Sequence, residues 1–147
     1  MIILDTDIIS LLDQQSGTTY ELLADRVASH ADERFCVTIV SVEEQMRGWL
    51  SYIAASRTMA RQIEGYVRLH RMMHWYERQE VLDFDSTAAQ IFSQLKGSRI
   101  KCGAMDLKIA SIALQHHALL ISRNLKDFRR VPNLKVEDWT VPQGDRP

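Results

Sequence analysis

The acidic residues that could do chemistry in this chain follow apolar runs or, in the case of Asp106, lie at the start of a helix-like segment. They come from four separate stretches: Asp5 with Asp7, Glu43 with Glu44, Asp106, and Asp127. Carboxylates gathered in one place repel one another, and burying them without a counter-charge is costly. The simplest counter-charge is a divalent cation that prefers oxygen ligands, Mg²⁺ or Mn²⁺. If the fold brings these stretches together, the sequence predicts a metal site.

Each acid also has a structural explanation when it is taken alone. Glu44 and Asp127 lie three residues after candidate N-cap residues, where a side chain can satisfy a free backbone N–H. Asp106 in a first helical turn complements the helix dipole, a contribution of about 0.5 kcal/mol, and Asp5 is suited to cap the helix that follows it. A cap does not explain why Asp5 directly follows an all-apolar strand. Taken together, the acids favour a site.

The elements that must position these acids alternate between strands and helices. Apolar runs predict strands at residues 1–4, 35–40, 81–84, 118–121 and, more weakly, 134–136. Periodicity and capping predict helices at residues 8–13, 18–30, 41–55, 57–78, 85–96 and 104–116. The first two capping boxes are Thr18 with Glu21 and Ser41 with Glu44. This alternation predicts an α/β fold with a central parallel sheet, whose ligands bind beyond the carboxyl ends of the strands.

Length and composition set the limits of what the protein can be. The 147 residues, 46% hydrophobic and 25% charged, suit one ordinary globular domain. We assign it to residues 1–140, with a polar tail at 141–147. Two cysteines exclude a disulfide framework, and no apolar run approaches the ~18 residues of a membrane span. We therefore expect a cytoplasmic protein without a signal peptide or a membrane partner. The net charge of −1 excludes a basic coat, so any polyanion must bind a local patch.

The acidic stretches, in order and over nearly the whole chain, resemble the PIN-domain family, in particular VapC-type toxin ribonucleases. The matching segments are residues 3–7 (ILDTD), 38–48 (TIVSVEEQMRG), 106–110 (DLKIA), 122–128 (SRNLKDF) and 136–139 (VEDW). The resemblance implies a PIN-like (Rossmannoid) domain with a sheet of four to five strands. Two departures appear: Asp7 stands where the family usually has Asn, and Ser122 where Thr is common.

The resemblance also implies an activity, Mg²⁺-dependent endoribonuclease (with Mn²⁺ as the other metal), and the biology of a type II toxin–antitoxin system. The acidic site implied is Asp5, Glu44, Asp106 and Asp127, with Glu44 chosen over Glu43 because it precedes Gly48 by four residues, as in the family. Asp5 and Asp106 are the expected metal ligands, while Glu44 and Asp127 act through water or orient the nucleophile. The expected supporting residues are Thr6, Asp7, Ser122 and Asn124.

Binding partners are expected on two surfaces. RNA phosphates are expected near the sheet edge that carries the acids. The main candidates to bind them are Arg47, Lys108, Arg123 and Lys126, and Lys96, Arg99 and Lys101 are also expected near that edge. The long helix at 57–78 carries more apolar residues than one packed side needs. One stripe is expected to pack in the core: Met59, Ile63, Val67, His70, Met73 and His74. The excess on neighbouring positions is expected to pair with a second copy in a homodimer or with an antitoxin, and consists of Tyr66, Leu69, Met72 and Tyr76.

Two other functions fit parts of the sequence. A haloacid-dehalogenase-type phosphatase also opens with an apolar strand and Asp-x-Asp, so that Asp5 would be its nucleophile and Asp7 its acid/base. That interpretation leaves Glu44 and Gly48 without a role and places Asp106 before the fourth strand instead of after it. The second alternative is a catalytically silent PIN-like module that binds protein or RNA. The presence of all four acids argues against it.

Overall fold

The computed structural model describes residues 1–142, so that most of the predicted polar tail, 141–147, lies outside the described residues. Within this range the strands form one parallel sheet in the order β3-β2-β1-β4-β5. The strands are β1 (Ile2–Leu4), β2 (Phe35–Thr38), β3 (Val81–Leu82), β4 (Leu119–Ile121) and β5 (Lys135–Glu137). The predicted α/β class and the parallel sheet are confirmed.

Helices connect the strands and cover both faces of the sheet. They are α1 (Thr6–Gln14), α2 (Thr18–Ser29), α3 (Ile39–Ala55), α4 (Met59–Tyr76), α5 (Ser86–Gly97), α6 (Ala104–Gln115) and the short α7 (Leu125–Phe128). One core contains residues of α5 and α6 and includes Ile3, whereas the other contains residues of α1, α2 and α4 and includes Ile2 and Leu4. β1 is therefore buried on both sides, as its unbroken apolar run predicts.

The order of the strands determines where a ligand can bind. β1 pairs with β2 on one side and with β4 on the other, so the strand order changes direction at β1. In open parallel sheets the crevice outside the carboxyl ends of the strands at such a point is the usual binding site. Asp5 and Ser122 directly follow β1 and β4 and therefore stand at this crevice.

The two predicted capping boxes are wrong. β2 ends at Thr38 instead of residue 40, and the Thr38 hydroxyl caps α3 by accepting a hydrogen bond from the Ser41 backbone N–H at 3.1 Å. The apolar run continues past the strand because Val40 lies in the core on the first turn of α3. At α2 the N-cap is Gly17, and Thr18 is already helical. Asp85, in contrast, caps α5 as predicted, accepting from the Ala88 N–H at 3.0 Å.

The side of α4 that packs in the core is opposite to the predicted side. Met72, Tyr76 and Gly65 are buried. The stripe expected in the core is instead exposed, as is the adjacent Tyr66: Met59, Ile63, Tyr66, Val67 and Met73 are 49–69% exposed. The exposed apolar surface of α4 is thus the stripe expected in the core, and the expectation that Met72 and Tyr76 lie on a free face is wrong, because they pack against the sheet. No helix among the described residues is long and apolar enough to cross a membrane.

Candidate active site

Asp5 lies where β1 runs into α1 and is 5% exposed. One carboxylate oxygen, Oδ1, accepts from the Thr6 backbone N–H at 2.8 Å, and the other, Oδ2, accepts from the Ser122 hydroxyl at 2.6 Å. Burial nevertheless raises the pKa of Asp5 to about 7, aided by the charges of Asp7 and Asp106 and only partly offset by those hydrogen bonds. Asp5 is therefore both a helix cap and a carboxylate held in a negative field.

Asp7 lies in the first turn of α1 and contacts the segment that follows β4. Its Oδ2 accepts from the backbone N–H of Arg123 at 3.0 Å, while its Oδ1 is buried with no hydrogen-bond partner among the described residues. Burial raises the pKa of Asp7, with the N–H groups of Arg123 and Ile8 acting in the opposite direction. The charge of Asp138, just after β5, raises it further. A buried carboxylate oxygen without a donor is suited to accept from a water or to face a cation.

Glu44 reaches the same crevice from α3. Its Oε2 accepts a hydrogen bond from the Thr6 hydroxyl, which joins α3 to the start of α1. Glu43 is exposed and pairs instead with Arg47, one turn along the same helix. The structure therefore places Glu44, and not Glu43, beside the other acids. Glu44 is not needed as a cap, since Thr38 serves α3 in that role.

Asp106 and Asp127 are joined by the side chain of Asn124. The Asn124 amide donates to Asp106 Oδ2 at 3.1 Å and to Asp127 Oδ2 at 3.2 Å. The Ser122 hydroxyl accepts from the Asn124 backbone N–H at 3.0 Å, which links this pair to Asp5. Burial raises the pKa of Asp106, and so do the charges of Glu44, Asp127 and Asp7. Acidic residues that are far apart in the sequence therefore lie in one cluster, where they are linked by hydrogen bonds and repel one another.

The composition of this cluster suits a hard divalent cation. Its donors are carboxylate, hydroxyl and amide oxygens, the ligands that Mg²⁺ and Mn²⁺ prefer. Within residues 1–142 no three Asp, Glu, His or Cys side chains already surround one ion position. Mg²⁺ is usually held by only one or two carboxylates and keeps several waters. The raised pKa values of Asp5 and Asp106 and the unpartnered oxygen of Asp7 fit a site that gains a cation.

The basic residues predicted to bind phosphate differ in how close they lie to the acidic cluster. Arg123 and Lys126 are exposed beside the cluster, and the Arg123 charge acts on Asp7. Arg47 is exposed on α3 and tied to Glu43. Lys108 lies 5.6 Å from the centre of the Phe84 ring, on the α5 side of α6. Arg123 and Lys126 therefore remain the better candidates for contacts to phosphate.

Two neighbours of the cluster were not predicted. Arg130 lies 3.6 Å from Asp127 Oδ1 and donates to the Lys101 carbonyl oxygen at 2.6 Å, so it holds Asp127 from outside. Its three-residue spacing from Asp127 along a helical turn is the pattern that could have revealed it. Asp138 acts on Asp7 only because β5 lies next to β4 in the sheet, a pairing that local sequence does not encode.

Comparison with characterised proteins decides the family. The tRNA(fMet)-specific endonuclease VapC of Salmonella typhimurium is 30% identical over 110 residues, which cover 72% of this chain and 76% of that protein. The chain belongs to the VapC ribonuclease family. Ribonuclease VapC2 of Rickettsia felis is 35% identical over 66 residues, 42% of this chain and 49% of that protein. No family model matches the chain.

Solved structures agree with this VapC assignment. VapBC-1 from nontypeable Haemophilus influenzae has a chain that is 27% identical, with a TM-score of 0.72 over 96% of this chain and all of that one. VapBC2 from Rickettsia felis, bound to a DNA fragment from its promoter, shares the fold at 23% identity and a TM-score of 0.69, over 95% of this chain and 99% of that one. The prediction of a PIN-type VapC ribonuclease is confirmed, and the phosphatase alternative loses its support.

Proposed function

We propose that this VapC-family ribonuclease is a Mg²⁺-dependent endoribonuclease that acts as the toxin of a type II toxin–antitoxin system. The observation that supports this most is the convergence of Asp5, Glu44, Asp106 and Asp127 at the crevice beyond β1 and β4. Burial and neighbouring acids raise the pKa values of Asp5 and Asp106, so these two carboxylates are destabilised when charged and a cation would relieve them.

The geometry suggests a role for each residue. Asp5 and Asp106 would hold the metal, since Asp5 is buried, Asp106 is half-buried, and the charge of Asp106 raises the pKa of Asp5. A bound Mg²⁺ supplies a water of lowered pKa and offsets charge on the phosphate. Glu44 and Asp127 would orient that water, while Thr6, Ser122 and Asn124 fix the carboxylates by the hydrogen bonds described above. Mn²⁺ has the same ligand preference and is expected to replace Mg²⁺.

The substrate proposed is a structured RNA. The Salmonella and Shigella relatives are named as tRNA(fMet)-specific endonucleases, which makes initiator tRNA the first substrate to test. The protein carries 18 basic and 19 acidic residues, so phosphate binding depends on local charge such as Arg123 and Lys126.

The decisive experiment compares cleavage of a labelled RNA by the wild-type chain with cleavage by Asp5→Asn and Asp106→Asn. Asp83→Asn, an exposed aspartate between β3 and α5, is the matched control. We expect both site variants to lose at least ~100-fold in kcat, the usual scale for groups that stabilise a transition state, and the control to be unchanged. Equal cleavage by all four proteins would reject the metal mechanism. RNA binding without cleavage by any of them would favour the silent module.

We further propose an antitoxin partner, because the solved relatives are VapBC toxin–antitoxin complexes. A groove of about 540 Å³ runs between α1, α3 and α4, and polar side chains line it together with the apolar and aromatic side chains of Trp49, Met72 and Trp75. Thr6 and Glu44 are among the residues that line the groove, so a segment lying in it would also contact the acidic cluster. Trp49→Ala should weaken capture by a co-expressed antitoxin and leave RNA cleavage intact. Unchanged capture would place the antitoxin elsewhere.

A further inference from the structure

Two histidines on the exposed side of α4 lie in contact, away from the acidic cluster. His70 and His74 are one helical turn apart, and their ring centres are 4.4 Å apart with the planes tilted by 54°. Both side chains are exposed. Zn²⁺ and related ions bind imidazole nitrogen at about 2.0–2.1 Å, so two ligands of one ion stand roughly 3.3 Å apart. Rings this close need only rotate about their side-chain bonds to present one nitrogen each to a shared ion.

Glu77 contacts one of these rings and orients it. Its Oε2 lies 3.1 Å from Nδ1 of His74, which leaves Nε2 of that ring directed away from the carboxylate. Histidines that bind metals usually donate their other N–H to a carboxylate, which fixes the ring orientation and makes the ligand more basic. His74 thus already has the outer contact of a metal ligand.

The charges around the pair do not exclude a cation. His70 and His74 line a cleft of about 430 Å³ between α4 and the end of α1, together with Asp13, Arg71 and Arg78. Asp13 pairs with Arg71 at 2.9 Å and with Arg68 at 3.6 Å, so its charge partly offsets both. The C-terminal end of α1, where the backbone carbonyls carry partial negative charge, faces the same cleft. Arg78 lines the same cleft, and its positive charge opposes the binding of a cation.

We propose that His70 and His74 form a surface site for a divalent transition metal, Zn²⁺, Ni²⁺ or Cu²⁺, completed by water. Imidazole nitrogen selects these ions, whereas the oxygen ligands at the end of β1 select Mg²⁺ and Mn²⁺. The site would connect successive turns of α4, the helix that also supplies Met72 and Trp75 to the groove. It is independent of the nuclease proposal, since none of its residues belongs to the acidic cluster.

The test is a Ni²⁺ titration of the full chain without a histidine tag, by calorimetry and with excess Mg²⁺ to occupy oxygen sites. We expect His70→Asn and His74→Asn each to weaken Ni²⁺ binding at least ~10-fold and Glu77→Gln to weaken it less, in line with outer-contact effects. His117→Asn, on another exposed histidine with the positive φ that Asn accepts, is the control. RNA cleavage in Mg²⁺ should not change in any of them.

A second measurement needs no variant. Trace Cu²⁺ should broaden the imidazole NMR signals of His70 and His74 before those of the other histidines. The proposal is overturned if Ni²⁺ binds the double variant as tightly as the wild type, or if Cu²⁺ broadens all histidines equally. It is also overturned if inorganic phosphate, and not metal, perturbs these two rings, since the cleft would then be an anion site centred on Arg78.

Discussion

Asp5 and Asp85 both cap helices, and folding shifts their pKa values in opposite directions. Asp85 is exposed, and the Ala88 N–H and the Gln115 amide lower its pKa. Asp5 accepts two hydrogen bonds as well, yet burial raises its pKa to about 7. A cap alone therefore does not account for Asp5, because a residue used only to satisfy N–H groups gains nothing from being buried beside other acids.

This contrast predicts a pH dependence of stability. An acid whose pKa is higher in the folded state opposes folding when it is charged, so the free energy of unfolding should fall as pH rises from about 4 to about 7. In EDTA, the wild type should lose up to about 4 kcal/mol relative to Asp5→Asn over that interval, at ~1.4 kcal/mol for each unit of pKa difference. Urea unfolding at several pH values measures this difference.

Asp85→Asn provides the control of opposite sign. Since the pKa of Asp85 is lowered on folding, its charge stabilises the folded state above the ordinary pKa of the group. The wild type should therefore gain stability relative to Asp85→Asn as pH rises from acid toward 4 and above. A wild-type profile that does not diverge from that of Asp5→Asn would show that Asp5 carries no burial penalty.

Adjacent glutamates separate catalysis from capping. Glu44→Gln keeps an acceptor for the Thr6 hydroxyl and leaves the Thr38 cap intact, so the unfolding free energy should change by less than ~0.5 kcal/mol. Cleavage should fall at least ~10-fold because the charge at the cluster is lost. Glu43→Gln removes only an exposed pair with Arg47, which contributes about 0–1 kcal/mol, and should keep full activity. Denaturant melts and initial rates on the same samples measure both effects.

If Glu44→Gln instead destabilised the chain and cleaved normally, the capping explanation of Glu44 would be correct.

That explanation arose because the sequence shows only that Glu44 lies three residues after a serine. Which hydroxyl caps α3 depends on where β2 ends. The sequence does not show this end, because the apolar residues Ile39 and Val40 continue the apolar run of the strand into α3. That the acids meet at one edge could be predicted, since three of them come after predicted strands and Asp106 lies in the first turn of a predicted helix. The bridge made by Asn124 between Asp106 and Asp127 could not, because it depends on how α6 meets the end of β4.

The pairing of α3 with α4 depends on a glycine. A Cβ atom at Gly65 would lie 2.5 Å from Ile53 Cγ1 and 3.0 Å from Tyr52 Cδ1, so the two helices approach one another too closely for any side chain there. Gly65→Ala should destabilise the protein by about 1–3 kcal/mol, as overpacking does, despite the higher helix propensity of alanine. Thermal or urea unfolding followed by circular dichroism measures this change.

Gly48, in α3, is the matched control. Nothing lies within 4 Å of a Cβ built there, so Gly48→Ala should stabilise the chain by up to about 1 kcal/mol through helix propensity alone. Equal effects of the two substitutions would mean that α3 and α4 adjust freely. At this scale the sequence predicts both helices well, but not the side of α4 that packs, because apolar residues occur around most of its circumference.

At the scale of the whole molecule, the exposed apolar stripe of α4 is a surface that a single chain leaves uncovered. The parallel sheet is covered on both faces by helices, and Met72 and Tyr76 already attach α4 to the core. Ile63, Tyr66 and Val67 therefore remain 57–60% exposed without a role in folding the chain. Clusters of large apolar residues at a protein surface usually mark a protein–protein contact.

We predict that this stripe joins two copies of the chain, in the homodimer expected from the sequence. Sedimentation equilibrium in EDTA, which removes any metal held by His70 and His74, should show a dimer for the wild type. Ile63→Asp and Tyr66→Asp should each shift the population toward monomer, since a charge placed in an apolar contact must be desolvated. Asp substitution at Ala54, exposed on α3, serves as a control for added charge and should leave the dimer intact. A wild-type monomer at high concentration would assign the stripe to the antitoxin instead, and capture of a co-expressed antitoxin by Ile63→Asp would then fail.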